Sequence, residues 1–231
     1  MNTSGVCVFF KSKKVLSRTI YLTIRLYSRI MKEKRPNRRI LEADMATLKK
    51  VEKVFQGEFL TQYILTYELK DQQEKHYEMV SHNQELTAEN IGKEKTAIVL
   101  IVYDESHEHM LFGHEFRMGV NQVVINNIAG YIDKGESVEE TAKRELYEET
   151  GLALTRIIQV LPFSYTCPPI TDMTAALVIC EANGEIRDSE DPHEEIHPVW
   201  YTKETLKEVL QSPDMKFSGR AQAIAYFWAN T

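Results

Sequence analysis

The chain has 231 residues, 43% of them hydrophobic, which suits one large domain or a catalytic domain with a small appendage. No apolar run is long enough to span a membrane, and the cysteines, Cys7, Cys167 and Cys180, match no disulfide or metal-binding spacing. The net charge of −6 and the lack of a basic, aromatic-rich pattern give no support for nucleic acid as a partner. We therefore expect a soluble protein in a reducing compartment, the cytoplasm.

Residues 1–45 form a basic leader. Its first 40 residues contain eleven Lys or Arg and a single acid, Glu33, and on a helical projection the basic and apolar side chains fall on opposite faces. Four interpretations stay open: contact with an anionic membrane surface, an organelle-targeting peptide, an extension upstream of a true start at Met31 or Met45, and a solvated tail.

Residues 46–92 are predicted to form a small β-rich segment. Residues 59–69 and 76–81 are short stretches typical of strands, separated by the polar turn DQQEK. Apolar side chains recur along the first stretch, at Leu60, Tyr63, Leu65, Tyr67 and Leu69. Such a surface is one that a partner can cover.

Residues 93–231 contain the other predicted elements. The continuous apolar run 96–103 is typical of a central buried strand. Further strands are predicted at 109–116, 123–131, 155–165, 173–181 and 196–201. Helices at 203–211 and 219–229 close the chain, the second with Ser218 as its N-cap.

One further helix is predicted at 138–150. Ser137 and Glu140 have the spacing of a capping box, and Gly151 suits the left-handed residue just past a helix end. The apolar stripe of this helix comprises Val138, Ala142 and Leu146.

Three acids of the same helix lie on or near its apolar side, whereas a solvated helix face would turn acids away from the core. Glu145 and Glu149 fall on or beside the apolar stripe, and Glu148 lies one step further round. Like charges three and four residues apart repel by roughly a few tenths of a kcal/mol per pair, and a divalent cation removes this conflict. Carboxylates without nearby Cys or His favour a hard ion, Mg²⁺ or Mn²⁺, over zinc.

Residues 130–152 read GYIDKGESVEETAKRELYEETGL, which matches G-x5-E-x7-R-E-U-x-E-E-x-G-U, where U is aliphatic. Chance would produce this pattern in roughly 10⁻⁹ of windows, and it is identified as a complete Nudix box. The resemblance implies the Nudix fold, an α+β architecture with a mixed β-sheet between helices (α/β/α), preceded here by the N-terminal β segment. It also implies a hydrolase.

Outside the box, the chain resembles the ADP-ribose pyrophosphatase branch of that superfamily. Residues 167–173 are similar to its S-P-G-x-[ST]-D-E loop, with Pro168 sixteen residues beyond Leu152. Residues 77–82 resemble a Y-E-x-V-x-R strand, and residues 114–117 a Q-x-R element. The implied reaction is hydrolysis of ADP-ribose or a related nucleoside diphosphate sugar to a nucleoside monophosphate and a sugar phosphate.

Three departures bear on the substrate. Relatives often read E-L-P-A-G where this chain has Asn126–Gly130, His82 replaces the usual Arg, and Met173 replaces an acid. Such changes alter which substrate hydroxyls or ring nitrogens find a partner, and an unpaired polar contact costs roughly 1–3 kcal/mol. Two alternatives therefore stay open: another nucleotide (a dinucleotide, coenzyme A or a nucleoside triphosphate), and a module that senses ADP-ribose without cleaving it.

The resemblance assigns metal ligands and a pairing residue. It implies that Glu145, Glu149 and the carbonyl of Ala129 bind Mg²⁺, for which Mn²⁺ can substitute, and that Glu148 holds a further metal or its waters. Arg144 is expected to pair with a carboxylate of the box, and Glu136 to support its loop.

The resemblance also assigns substrate contacts, a base and an oligomeric state. Arg117 is the candidate phosphate clamp, because a guanidinium binds two phosphate oxygens at once, and Pro168 and Asp172 are further candidate substrate contacts. Alignment of residues 196–200 with relatives places the general base at Glu194, with Glu195 as the fallback. A homodimer formed through residues 46–92 is expected.

Overall fold

The computed structural model describes residues 45–189 and 195–231. The first strands are β1 (Thr47–Gln56), β2 (Thr61–Glu68), β3 (Glu74–Ser81), β4 (Ala97–Tyr103), β5 (Met110–Arg117), β6 (Gln122–Asn126) and β7 (Ala129–Tyr131). Helix α1 (Val138–Thr150), strands β8 (Ala153–Val160), β9 (Ser164–Tyr165), β10 (Thr174–Asn183) and β11 (Ile196–Tyr201), and helices α2 (Lys203–Gln211) and α3 (Gly219–Ala229) follow. None of the helices in these described ranges is long and apolar enough to cross a membrane.

The chain divides into two compact units. The first has residues 45–49 and 66–75 as its described part, and the second comprises residues 50–65 and 76–231, without the gap at 190–194. The boundaries predicted at residues 45, 92 and 93 stay a prediction.

Strands β1, β2 and β3 form a three-stranded sheet in that order. The apolar side chains of residues 59–69 do not share one exposed face. Tyr63 and Leu65 are buried, and the Tyr63 hydroxyl donates a hydrogen bond of 2.8 Å to the Asn83 carbonyl. Leu60 and Phe59, by contrast, are 42% and 75% exposed.

The remaining strands form an eight-stranded sheet of order β11-β5-β4-β10-β8, in which β6 pairs with β5, β7 with β4 and β9 with β10. It is mixed, because β10 runs parallel to β4 and antiparallel to β8. Successive side chains of a strand point to opposite faces. Accordingly, Ile98 and Leu100 pack in one core with Leu146 of α1, whereas Ile101 packs in a second core with Leu206 of α2. Helices thus cover both faces, which confirms the predicted α/β/α Nudix fold.

One predicted strand is two strands with different partners. The interval 123–131 divides into β6, which pairs with β5, and β7, which pairs with β4, on either side of Asn127 and Ile128. β4 and β5 themselves pair with each other only at Tyr103 and Met110 within the described part of the chain. The two strands diverge beyond that point, and a cavity opens between them.

Candidate active site

The cavity has a volume of about 400 Å³ and is lined by β4 to β7, α1 and the start of α3. Its lining includes four residues to which the resemblance assigns a metal or substrate contact, namely Arg117, Ala129, Glu145 and Glu149. It also includes residues that sequence reasoning did not assign, among them Asn127 and Arg220.

Both ends of α1 are fixed by local hydrogen bonds. The Ser137 hydroxyl accepts from the Glu140 amide at 3.2 Å, and the Glu140 carboxylate accepts from the Ser137 amide at 2.8 Å, as a capping box requires. At the other end Gly151 has a φ of 74°, and its amide donates to the Tyr147 carbonyl. The helix is therefore held at both ends.

The acids of α1 lie at two kinds of position. Glu145 and Glu149, one turn apart, are only 8% and 4% exposed and line the cavity. The Glu148 side chain is 56% exposed. Burying two carboxylates side by side is unfavourable unless hydrogen bonds or a cation compensate their charge.

Gly130 explains why the buried carboxylate of Glu145 fits. A Cβ atom built on Gly130 would lie 1.9 Å from Cδ of Glu145 and 2.0 Å from its Oε1. The carboxylate therefore rests directly against the Gly130 backbone, which is paired with Ile98 of β4. Only a residue without a side chain leaves this space.

Arg144 connects three carboxylates of the box. Its Nε and Nη2 each donate to Glu136 at 2.9 Å, while its Nη1 donates to Glu145 at 2.8 Å and to Glu148 at 3.1 Å. These hydrogen bonds raise the pKa of Arg144, and those with Glu136 lower the pKa of that carboxyl to about 2. The expected pairing of Arg144 with a carboxylate of the box is present.

The donor set fits a hard divalent cation. Glu145, Glu149 and Ala129 offer two carboxylates and a backbone carbonyl at one cavity wall. Within residues 45–189 and 195–231 there is no cluster of three His, Cys, Asp or Glu side chains arranged for a metal, and Glu148 is held by Arg144. Mg²⁺ commonly binds to one or two protein carboxylates, with water and substrate phosphate completing its shell.

A second wall of the cavity carries Arg117. Its Nη1 lies 2.8 Å from Oε1 of Glu115, and its side chain is 54% exposed. The other Glu115 oxygen accepts from the side-chain Nδ2 of Asn126 at 3.1 Å, and the side-chain Oδ1 of Asn126 accepts from the Ser218 hydroxyl at 2.8 Å. A continuous chain of hydrogen bonds therefore joins β5, β6 and the N-cap of α3.

Two predicted substrate residues do not line this cavity. The loop that carries Pro168 and Asp172 is held to β3 by a hydrogen bond of 2.9 Å from the Val80 amide to the Ile170 carbonyl. Asp172 accepts from the Gly92 amide at 3.2 Å. In this structure Asp172 therefore fixes a loop, and its predicted contact with substrate stays a prediction.

The candidates for the general base are Glu194 and Glu195. Glu194 lies outside the described residues, so its predicted role stays a prediction. Glu195 is exposed just before β11, where its carbonyl accepts from the Phe116 amide at 3.2 Å.

Two polar residues of the cavity have unused hydrogen-bonding groups. Asn127 is 3% exposed, and neither its amide nitrogen nor its amide oxygen has a partner among the described residues. The buried Nε of Arg220 likewise has none in the described part of the chain. Burial lowers the pKa of Arg220, and the charge of Arg117 lowers it further. The sequence offers one signal for Arg220, which is the single charge in the helix GRAQAIAYFWA.

Comparisons with known proteins agree with this geometry. The model of the NUDIX domain matches residues 93–226. The ADP-ribose pyrophosphatase of Bacillus subtilis is 27% identical over 177 residues, covering 76% of this chain and 88% of that protein. The ADP-ribose pyrophosphatase of Saccharomyces cerevisiae is 33% identical over 94 residues, 41% of this chain and 40% of the other.

A solved structure shares the fold. The crystal structure of an ADP compounds hydrolase superposes with a TM-score of 0.61 at 22% identity, covering 80% of this chain and 92% of that one. Together with the domain match and the box on α1, this places the chain in the Nudix hydrolase family.

Proposed function

We propose that this Nudix hydrolase cleaves the diphosphate bond of ADP-ribose or a related nucleoside diphosphate sugar in a Mg²⁺-dependent reaction. The observation that carries the proposal is the presence of two buried carboxylates, Glu145 and Glu149, in one cavity with the exposed guanidinium of Arg117. The similarity to ADP-ribose pyrophosphatases of two organisms supports the substrate class.

The reaction is the attack of water on one phosphorus, with cleavage of its bond to the bridging oxygen. The bridging oxygen leaves with the other phosphate, and the water's proton passes to a base. Mg²⁺ held by Glu145, Glu149 and the Ala129 carbonyl would neutralise phosphate charge and favour loss of the proton.

The chain's own groups have separate tasks in this proposal. Arg117 binds phosphate oxygens, for which its planar guanidinium is suited. Arg144 fixes the orientation of Glu145, because its Nη1 donates to that carboxylate at 2.8 Å. Glu194 accepts the proton, with Glu195 as the alternative, since a positioned base is worth roughly 10²–10⁴ in rate.

One observation favours a second candidate substrate class. By the resemblance, Asn126 stands where relatives often carry a glutamate, and its side-chain amide donates to Glu115 and accepts from Ser218. These hydrogen bonds occupy the Asn126 side chain in holding the cavity wall, so it does not play the part that a glutamate plays in relatives. A different nucleotide, such as a dinucleotide or coenzyme A, therefore stays a candidate. A sensing module is disfavoured because such a module needs no Glu145, Glu148 and Glu149.

A substrate panel tests the proposal. Purified protein is incubated with ADP-ribose, ADP-glucose, a dinucleotide, coenzyme A and ATP, with Mg²⁺, with Mn²⁺ and with chelator, and the products are separated by chromatography. We expect AMP and a sugar phosphate from the nucleoside diphosphate sugars, and no turnover after chelation. Binding of ADP-ribose without cleavage would instead indicate a sensor, and turnover in chelator would contradict the metal assignment.

A further inference from the structure

We infer that Arg220, in the first turn of α3, is a second anion-binding side chain of the catalytic cavity and contacts a phosphate oxygen of the substrate's diphosphate beside Arg117. This inference rests on the proposed function, because it names a further residue of the same binding site.

The first support is that Arg220 is a partly buried cation for which the described part of the chain supplies no counterion. It lines the cavity, its Nε is buried without a hydrogen-bond partner, and it has no ion pair with any residue of 45–189 or 195–231. Removing a guanidinium from water without pairing it opposes folding. Such a group is tolerated where a ligand supplies the missing anion.

Two of the acids that line the cavity already accept hydrogen bonds from other residues. Glu115 accepts from Arg117 and Asn126, and Glu145 accepts from Arg144. No acid among the described residues pairs with the Arg220 guanidinium, which lies near a like charge, that of Arg117. An anion that contacts both guanidiniums relieves their repulsion and gains charge-assisted hydrogen bonds.

The position of Arg220 is set by rigid elements. The Ser218 hydroxyl accepts from the Ala221 amide at 3.3 Å and donates to Asn126, so it caps α3 and ties the helix to β6 at once. Backbone hydrogen bonds fasten the same junction, from Ser218 to Ile125 at 3.0 Å and from Ile125 to Lys216 at 2.7 Å. Binding groups held on fixed elements are well oriented for a ligand.

The buried amide of Asn127 is a second, independent observation at this cavity. Its donor and its acceptor both lack partners among the described residues, and buried polar groups are normally hydrogen-bonded. The cavity therefore leaves a cation and an amide unpaired, which fits a ligand with several oxygens. A diphosphate can place oxygens on both arginines, whereas a single phosphate is less able to do so.

The test measures binding of α,β-methylene-ADP, a diphosphate with carbon in place of its bridging oxygen, by titration calorimetry with Mg²⁺. Arg220→Met keeps most of the side-chain stem and should weaken binding about 10–100-fold. Arg220→Lys keeps the charge and should recover part of that loss. Lys216→Gln removes an exposed charge near the start of α3, outside the cavity, and should bind as the wild type does.

Thermal unfolding without ligand separates this role from a structural one. Because Arg220 has no ion-pair partner among the described residues, Arg220→Met should unfold at the wild-type temperature or above it. A lower unfolding temperature with unchanged affinity would overturn the inference, as would wild-type protein that fails to bind the probe. If Arg220→Met weakens binding but ADP-ribose is not hydrolysed, only the proposed function fails. If ADP-ribose is hydrolysed and Arg220→Met binds normally, only the inference fails.

Discussion

Substitution of Gly130 by alanine should separate stability from activity at this site. The added Cβ would lie 1.9 Å from Cδ of Glu145 and 2.4 Å from its Oε2, far below the roughly 3.5–4.0 Å of a favourable carbon contact. The Gly130 backbone is paired with Ile98 of β4, so the flexible carboxylate must move.

The structural cost of this movement is limited. An off-rotamer side chain costs about 0.5–1.5 kcal/mol, and loss of the hydrogen bond from Arg144 adds about 1.5–3 kcal/mol. Arg144 keeps its two bonds to Glu136. Because these two terms add, we expect a free energy of unfolding lower by about 2–4.5 kcal/mol and a protein that is still folded at room temperature.

The loss of activity should be evident in a protein that is still folded, because the displaced group is a predicted metal ligand. Loss of one major electrostatic element lowers turnover by roughly 10²–10³. The assays are urea unfolding followed by circular dichroism, Mn²⁺ titration and hydrolysis of the best substrate of the panel. Gly119→Ala is the matched control, since no atom lies within 4 Å of its added Cβ. Wild-type turnover and metal affinity in Gly130→Ala would refute this reasoning.

Three further predictions concern the metal, the base and the assembly. Glu149→Gln, at a position 4% exposed, should keep the fold and lose at least about 10²–10³ in turnover; near-normal activity at ordinary Mg²⁺ would contradict its assignment as a ligand. Glu194→Gln should lower kcat by roughly 10²–10⁴ while Glu195→Gln does much less, and reversed effects would place the base one residue later. A chain beginning at Met45 should sediment as a dimer, and a monomer at micromolar concentration would remove the proposed interface through residues 46–92.

The sequence predicts best where structure is locally determined. The ends of α1 follow from Ser137, Glu140 and Gly151, whose capping roles depend only on neighbours within a few residues. The burial of Glu145 and Glu149 likewise follows from helical periodicity combined with the motif.

Features that depend on contacts between residues far apart in the chain could not be predicted from the sequence. No periodicity marks the point at Asn127 where a strand leaves β5 for β4, because both halves of the interval are similarly apolar. The alternation of apolar residues between Leu60 and Leu69 indicated a surface that a partner can cover, yet Tyr63 is buried and its hydroxyl donates to the Asn83 carbonyl. Arg220 lies 68 residues beyond the end of the motif at Leu152 and reaches the cavity only through the packing of α3.

Because β4 diverges from β5, the two halves of the cavity are built from different strands and helices. Glu145 and Glu149 depend on β4, β7 and α1, while Arg117 depends on β5, β6 and the start of α3. Substitutions in the two halves share few contacts, so their effects on the free energy of unfolding should usually add. Recognition can therefore change in evolution without disturbing the hydrolytic carboxylates, so that one reaction is kept while its nucleotide changes.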